Sequence, residues 1–221
     1  MGKLIYNLNV SLDGFIETPD HSLDWTAVDD ELHRWFNEQT RSLDATLYGR
    51  RLWEVMAAHW PTGEDDPEAT DAMREYAVIW NAMPKIVFSR SLESVEHGAR
   101  LVRGDVGEVL DGVRREFDGD IGVAGADLAG QFVQRGLVDE FRIVVHPVAI
   151  GAGTPFWPRL EVPLRLRLVE TRTFESGVLL VSYAAAYARR PDRELEVTSW
   201  ARADRSAITP HRRRAGARPR E

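Results

Sequence analysis

Leu4, Tyr6, Leu8 and Val10 alternate with Ile5, Asn7 and Asn9, a two-residue period that predicts a first strand over 3–10. A polar loop follows through Ser11-Leu12-Asp13-Gly14 and Thr18-Pro19-Asp20. The period then lengthens: Leu32, Trp35 and Phe36 sit at helical spacing and predict a helix over 29–43. An apolar strand over 45–49 ends at Gly49, and a helix over 50–58 begins at that glycine. The stretch 61–67, with proline at both ends, reads as loop. Met73, Tyr76, Trp80 and Met83 mark one face of another helix. Short strands are predicted at 86–88 and 100–102. Asp105 and Glu108 form a D-x-x-E variant of the capping box, and Val106, Val109, Leu110, Val113 and Phe117 are the apolar stripe of the helix it opens. A strand over 121–124 turns at Gly125 into a helix carrying Ala129, Phe132 and Val133, which ends near Gly136. A long strand is predicted over 140–148. Leu164, Leu166 and Leu168 alternate with Arg165 and Arg167, the pattern of a strand with one buried face and one wet face. Glu175-Ser176-Gly177 then turns the chain into a last strand through Tyr183.

Strands alternating with helices, closed by a pair of strands, predict an α/β fold. Its central sheet is mainly parallel, with helices on both faces and an antiparallel C-terminal edge. At 221 residues and 43% hydrophobic content the chain suits a single domain, placed at 1–188. Beyond it, 189–221 changes character: Arg189, Arg190, Arg193, Arg202, Arg205, Arg212, Arg213, Arg214, Arg218 and Arg220 crowd a stretch with few apolar residues. That composition is expected to stay disordered. The net charge is nevertheless −7, and an acidic body argues against a nucleic-acid partner. No cysteine is present, which excludes disulfides, thiolate metal sites and a cysteine nucleophile. The N-terminus lacks a signal-peptide layout, and no apolar run approaches the roughly 20 residues of a membrane helix. A cytoplasmic protein without membrane contact is expected. No His, Asp and Glu residues have metal-ligand spacing, so no metal is expected. Serine-hydrolase, P-loop and G-x-G-x-x-G patterns are absent as well.

Candidate chemistry gathers at three strand ends, where open α/β sheets collect ligands. The first is Tyr48-Gly49-Arg50-Arg51. Its glycine lets backbone N–H groups approach a phosphate, and its arginines offer charged, forked donors. An ordinary helix start with two solvated arginines reads the same way. The second, Ser89-Arg90-Ser91, suits a ribose phosphate or a polar turn. The third, Ala124-Gly125-Ala126-Asp127-Leu128, is a small-residue strand-to-helix turn that can seat a pyrophosphate on the helix N-terminus.

In order, the segments 10–14, 47–51, 85–90, 122–126, 136–140 and 146–156 resemble the reductase family that includes dihydrofolate reductase and the C-terminal reductase domain of riboflavin biosynthesis. The likeness spans roughly 3–185 and is strongest to stand-alone bacterial members. It implies a dihydrofolate-reductase-like fold, NADPH as cofactor, a small heterocyclic substrate and a homodimer. It further implies that Gly49, Arg50 and Arg51 hold cofactor phosphates, with Arg50 at the 2′-phosphate. Ser89 and Arg90 fall beside the adenosine ribose, Ala124, Gly125 and Ala126 at the pyrophosphate, and Ser11 to Phe15 on a mobile loop near the nicotinamide. Two departures weaken cofactor contacts: Leu52 stands where the family often has threonine, and Ala124-Gly125 where it often has a glycine pair.

The catalytic group is expected to be a carboxylate that pairs with or protonates the heterocycle. Asp30 is the first candidate among Asp29, Asp30 and Glu31, because Asp29 is better placed to cap the helix; Asp13 is the second. Acids at a helix start also serve the dipole alone, and Asp13 beside Gly14 also suits a turn. Trp25, Trp35 and Trp53 either wall a pocket or fill the core, and His146 is expected to be structural. Two functional readings follow. One is an NADPH-dependent reductase of a pterin-like or ribosylated aminopyrimidine substrate. The other is an NADPH-binding sensor or partner-binding module without turnover.

Overall fold

The computed structural model of the chain describes residues 2–187, so the arginine-rich stretch from 189 onward lies outside the described residues. The elements run β1 (Leu4–Ser11), β2 (Phe15–Glu17), α1 (Asp30–Arg41), β3 (Leu43–Gly49) and α2 (Arg50–His59). A short 3₁₀ turn at Trp60–Thr62 overlaps the start of the expected loop, and α3 (Asp71–Ala82), β4 (Lys85–Phe88), β5 (Arg100–Val102) and α4 (Val106–Glu116) follow. The chain then forms β6 (Asp120–Ala124), α5 (Ala126–Gln134), β7 (Glu140–His146), β8 (Thr154–Pro155), β9 (Arg165–Thr173) and β10 (Leu179–Ala186).

Eight strands form one sheet in the order β5-β4-β3-β6-β1-β7-β10-β9. Every pairing from β5 to β7 is parallel, while β10 lies antiparallel to both β7 and β9. The expected mainly parallel sheet with an antiparallel C-terminal edge is therefore present. Strand alternation sorts the core into two layers. Leu4, Tyr6, Leu47, Ile86 and Val123 face Leu110 and Val113 of α4 and Leu128 and Phe132 of α5. On the opposite face, Val144 and Leu180 pack on Leu32 and Trp35 of α1, and Tyr48 and Val87 pack on Trp53 of α2 and Trp80 of α3.

Three helices open on a side-chain cap. Asp29 accepts from the Leu32 N–H at 2.8 Å, Thr70 from Met73 at 3.3 Å, and Asp105 from Gly107 and Glu108 at 2.8 and 3.3 Å. Each such cap contributes about 1 kcal/mol.

The C-terminal edge corrects one expectation. Leu166 is half-buried, but Leu168 and its neighbour Val169 are 53% and 49% exposed. The alternation breaks at a bulge opposite Ser182/Tyr183. The face toward which Leu168 points lies beyond the helix layer, because α5 packs chiefly over β3 and β6. The region after Ser11 is also more ordered than a plain loop, since β2 pairs with β8 in a separate two-stranded ribbon.

On the α1 face, charged groups are built into the sheet. Glu140 is 5% exposed and accepts from Lys3 Nζ at 2.8 Å and Arg142 Nε at 2.7 Å, while Arg142 also reaches Gln39. Burial alone would raise the Glu140 pKa, but the two cations outweigh it and hold the carboxyl below its ordinary value of 4.5. A carboxyl depressed on folding stabilises the fold above its unfolded pKa, and that contribution is lost as pH falls through the folded value. The melting temperature should therefore drop as pH falls below 4.5. Glu140→Gln should cost about 2–3 kcal/mol at pH 7, discounted because Lys3 is half-exposed, or about 4–12 °C. The acid-induced loss should be shallower in this variant. Equal melting temperatures of variant and parent at pH 7 would show that the pair contributes nothing.

Candidate active site

Insertion of β6 between β3 and β1 creates a parting in the sheet. From β3 the chain leaves through α2 toward β4 on one face, and from β6 it leaves through α5 toward β7 on the other. Such a reversal opens a crevice beyond the carboxyl ends of the two strands. Both ends carry glycine, and the two glycines meet. Gly125 has φ +101°, and a Cβ built there would lie 3.7 Å from the Gly49 nitrogen. A Cβ on Gly49 would lie 3.3 Å from Leu128 Cβ. Gly49 and Gly125 are the N-cap residues of α2 and α5, and neither helix has a side-chain cap, unlike α1, α3 and α4. Two positive helix ends thus converge with their first backbone N–H groups free of side-chain caps, an arrangement suited to an anion. Ala126, Asp127 and Leu128 contribute by backbone position: the Asp127 side chain is exposed, and Leu128 is buried in the core.

The predicted arginines surround this crevice but divide their partners. Arg50 donates from Nε to Glu54 at 2.8 Å and from Nη1 to Ser91 Oγ at 2.8 Å, linking the ends of β3 and β4. Arg51 instead pairs with Glu17, which also accepts from Thr154 Oγ1, and Arg51 Nη2 contacts His21 Nδ1 at 2.9 Å. Burial acts to raise the Glu17 pKa, but Thr154 and Arg51 outweigh it and lower it. Ser89 is buried and builds its own turn, accepting from the Ser91 and Leu92 N–H groups at 3.2 and 3.0 Å. Arg90 is exposed and has no hydrogen bond or ion pair among the described residues. Glu17, His21 and Thr154 were missed because they gather around Arg51, which lies in a different element; Glu54, one helical turn from Arg50 within α2, had a local signal.

Beyond Tyr6, β1 loses β6 as a neighbour but stays paired with β7 as far as Ser11. Its free edge continues the crevice. The two candidate acids stand in different settings. Asp13 accepts from Ser11 Oγ at 2.6 Å, Ile150 N at 3.2 Å and Gly151 N at 2.7 Å, and these bonds lower its pKa. It clamps the loop after β1 to the loop after β7. Asp29 caps α1 and also accepts from Ser176 N at 3.0 Å; Glu31 pairs with Arg172 at 2.7 Å. Asp30 is left with an exposed i,i+4 pair to Arg34 at 3.3 Å. No contact joins Asp13 to Asp30 among the described residues. Trp35 and Trp53 belong to the core, whereas Trp25 meets His146 edge-on at 5.5 Å. His146 is fully buried. It accepts from Ala27 N at Nδ1 (3.0 Å) and meets Asn9 Oδ1 at Nε2 (2.9 Å), and burial lowers its pKa. Among the described residues no group of three His, Asp or Glu is placed to hold a metal ion, and no helix is long and apolar enough to cross a membrane.

This sheet order, with its crevice between two glycine-started helices, is the dihydrofolate-reductase-like α/β fold. Within it the chain belongs to the RibD C-terminal domain family, whose model matches residues 2–180. It is 32% identical over 182 residues to the uncharacterized protein YyaP of Bacillus subtilis, covering 82% of this chain and 94% of that one. YwjB of the same organism, also uncharacterized, is 26% identical over 180 residues, covering 80% and 95%. Among solved structures, one from Shewanella sp. PV-4, described as a riboflavin biosynthesis protein, superposes with a TM-score of 0.68 at 19% identity, covering 84% of this chain and 99% of that chain. The deaminase/reductase of Thermotoga maritima superposes with a TM-score of 0.58 at 18% identity, covering 84% of this chain and 57% of that chain. Dihydrofolate reductase from Enterococcus faecalis, complexed with NADP(H), superposes with a TM-score of 0.57 at 15% identity, covering 83% and 96%. At these identities the superpositions establish the fold.

The crevice geometry makes Gly125 demanding, because a left-handed φ strains any L side chain. Gly125→Ala should cost about 1–3 kcal/mol and lower the melting temperature by about 3–10 °C. A melting curve unchanged by the substitution would contradict the left-handed turn.

Proposed function

We propose that the chain is an NADPH-dependent reductase that passes a hydride to a small nitrogen heterocycle, pterin-like or a ribosylated aminopyrimidine. The observation that carries this reading is the meeting of two uncapped helix starts at Gly49 and Gly125. Backbone N–H groups of 50–52 and 126–128 fit a pyrophosphate there, and close backbone approach is possible because neither glycine has a Cβ. Arg50 and Arg90 flank the end of β4 and would take the extra phosphate that separates NADPH from NADH. Ser89 supports them by fixing the turn that carries Arg90 and Ser91. Arg51 would anchor the loop after β1 through Glu17.

When bound, the cofactor's nicotinamide supplies the hydride. The chain orients the reactants and excludes water. The free edge of β1 and its loop line one side of the cleft, and the start of α1 lines the other. Asp13 holds the loop in place, and Asp30, half-exposed at the helix start, is the carboxylate assigned to the heterocycle. The internal pairing of Arg51 with Glu17, together with the apolar Leu52, also suits an NADPH-binding sensor without turnover. Loss of the near-ultraviolet NADPH absorbance with pterins and aminopyrimidines separates the two readings.

NADPH should bind more tightly than NADH, and Arg50→Ala should remove most of that preference, since a charged hydrogen bond contributes roughly 1.5–3 kcal/mol. Titration by calorimetry reads both; equal affinities in the unaltered protein would reject the phosphate assignment.

The proposal includes a cytoplasmic homodimer. On the sheet face away from α1, Leu8, Ile143 and Val181 share one row and are half-buried, while Leu168 and Leu179 beside them are 53% and 42% exposed. A contiguous apolar face next to an unpaired edge strand suits a second copy of the chain. Light scattering at micromolar concentration should give twice the single-chain mass; a monomer mass would rule the dimer out.

A further inference from the structure

His146 and Asn9 settle each other's chemistry. The Ala27 backbone N–H can only donate, so His146 Nδ1, which it meets at 3.0 Å, must be a lone pair. Burial lowers the His146 pKa, which favours the neutral ring. A neutral ring without a proton on Nδ1 carries it on Nε2. Nε2–H therefore donates, and the atom of Asn9 facing it at 2.9 Å must be the amide oxygen. The orientation of the Asn9 amide follows from a backbone donor and does not depend on telling nitrogen from oxygen in the side chain.

The same chain of bonds fixes where the other end of the amide goes. With Oδ1 held by His146, the Asn9 NH₂ group turns away from the ring. It has no hydrogen-bond partner among the described residues, and it is not among their buried unpaired atoms. Asn9 is half-buried and lies on the part of β1 that has no β6 neighbour, on the α1 face of the sheet. Next to His146, the Trp25 Nε1–H is buried and unpaired, a second donor without an acceptor.

We infer that Asn9 is a specificity-determining residue whose amide N–H donors read a ring carbonyl of the substrate, and that His146 is the positioning residue that sets this orientation. The inference rests on the reductase reading above and deepens it: the ring enters with a lactam-type edge, not an amino edge, toward β1.

The test uses the full chain. Nitrogen-15 NMR of histidine-labelled protein at neutral pH should show His146 as the Nε2–H tautomer; the Nδ1–H tautomer overturns the inference whatever the ligand. Calorimetry with NADPH present then compares 5,6-diaminouracil with 2,4,5,6-tetraaminopyrimidine, in which amino groups replace the carbonyls. The unaltered protein should prefer the uracil by about tenfold, the size of one neutral hydrogen bond. Asn9→Asp, which keeps the shape but presents an acceptor, should reverse the preference. His146→Phe should reduce it to within about twofold without altering NADPH affinity. An unchanged preference in Asn9→Asp, or binding of neither compound while NADPH binds, overturns the inference. Failure of NADPH itself to bind rejects the reductase reading instead, and the tautomer still decides the orientation.

Discussion

The wedge of β6 between β3 and β1 is the constraint on which the rest of the structure depends. It forces the segments after β3 and β6 onto opposite faces, so that the starts of α2 and α5 face one crevice. At Gly49 a side chain would be tight, since a Cβ there would lie 3.3 Å from Leu128 Cβ. Gly125 has a further requirement, a φ of +101°. The same wedge ends early, leaving the last residues of β1 unpaired on one side. Two helix starts without side-chain caps and an open strand edge therefore arise from a single topological step. Helix capping follows the division as well: α1, α3 and α4 spend a side chain on their first N–H groups, and the two helices at the crevice do not.

Local signals in the sequence carried much of this. Asp105 and Asp29 read as helix starts because the bonds they make are two to three residues away. The strand-glycine-helix turns at Gly49 and Gly125 were legible for the same reason. Leu164 and Leu166 pack against the core as their alternation implied, but Leu168 misled, because alternation reports a preference for one face and cannot report whether a helix layer reaches that far. Arg50 and Arg51 looked equivalent as neighbours in sequence, yet one turns to Ser91 and the other to Glu17, 41 and 34 residues distant. Asp13 read as an acid near the chemistry; its bonds to Ile150 and Gly151 span a separation of 137 and 138 residues. The His146–Asn9–Ala27 relay had no sequence signal at all, since each link depends on register between β1, β7 and the loop before α1.

Electrostatics divides the molecule by function. At the bottom of the β1–β7 pair, Lys3, Glu140 and Arg142 are mutually satisfied, and Arg114 pairs with Asp139 at 2.9 Å, so these charges hold strands together. At the carboxyl ends, donors outnumber their partners: Arg90 is unpaired among the described residues, two helix starts are uncapped, and the Asn9 amide nitrogen is open. A surplus of donors at one end of a net acidic chain favours acceptor-rich, anionic ligands there.

The central claim is that the two helix starts hold a dinucleotide. Backbone amide chemical shifts recorded during NADPH addition test it most directly. The account predicts the largest shifts at 50–52 and 126–128 together, with smaller ones along 7–11 of β1. Shifts confined to other surfaces, or affecting one helix start without the other, would contradict it.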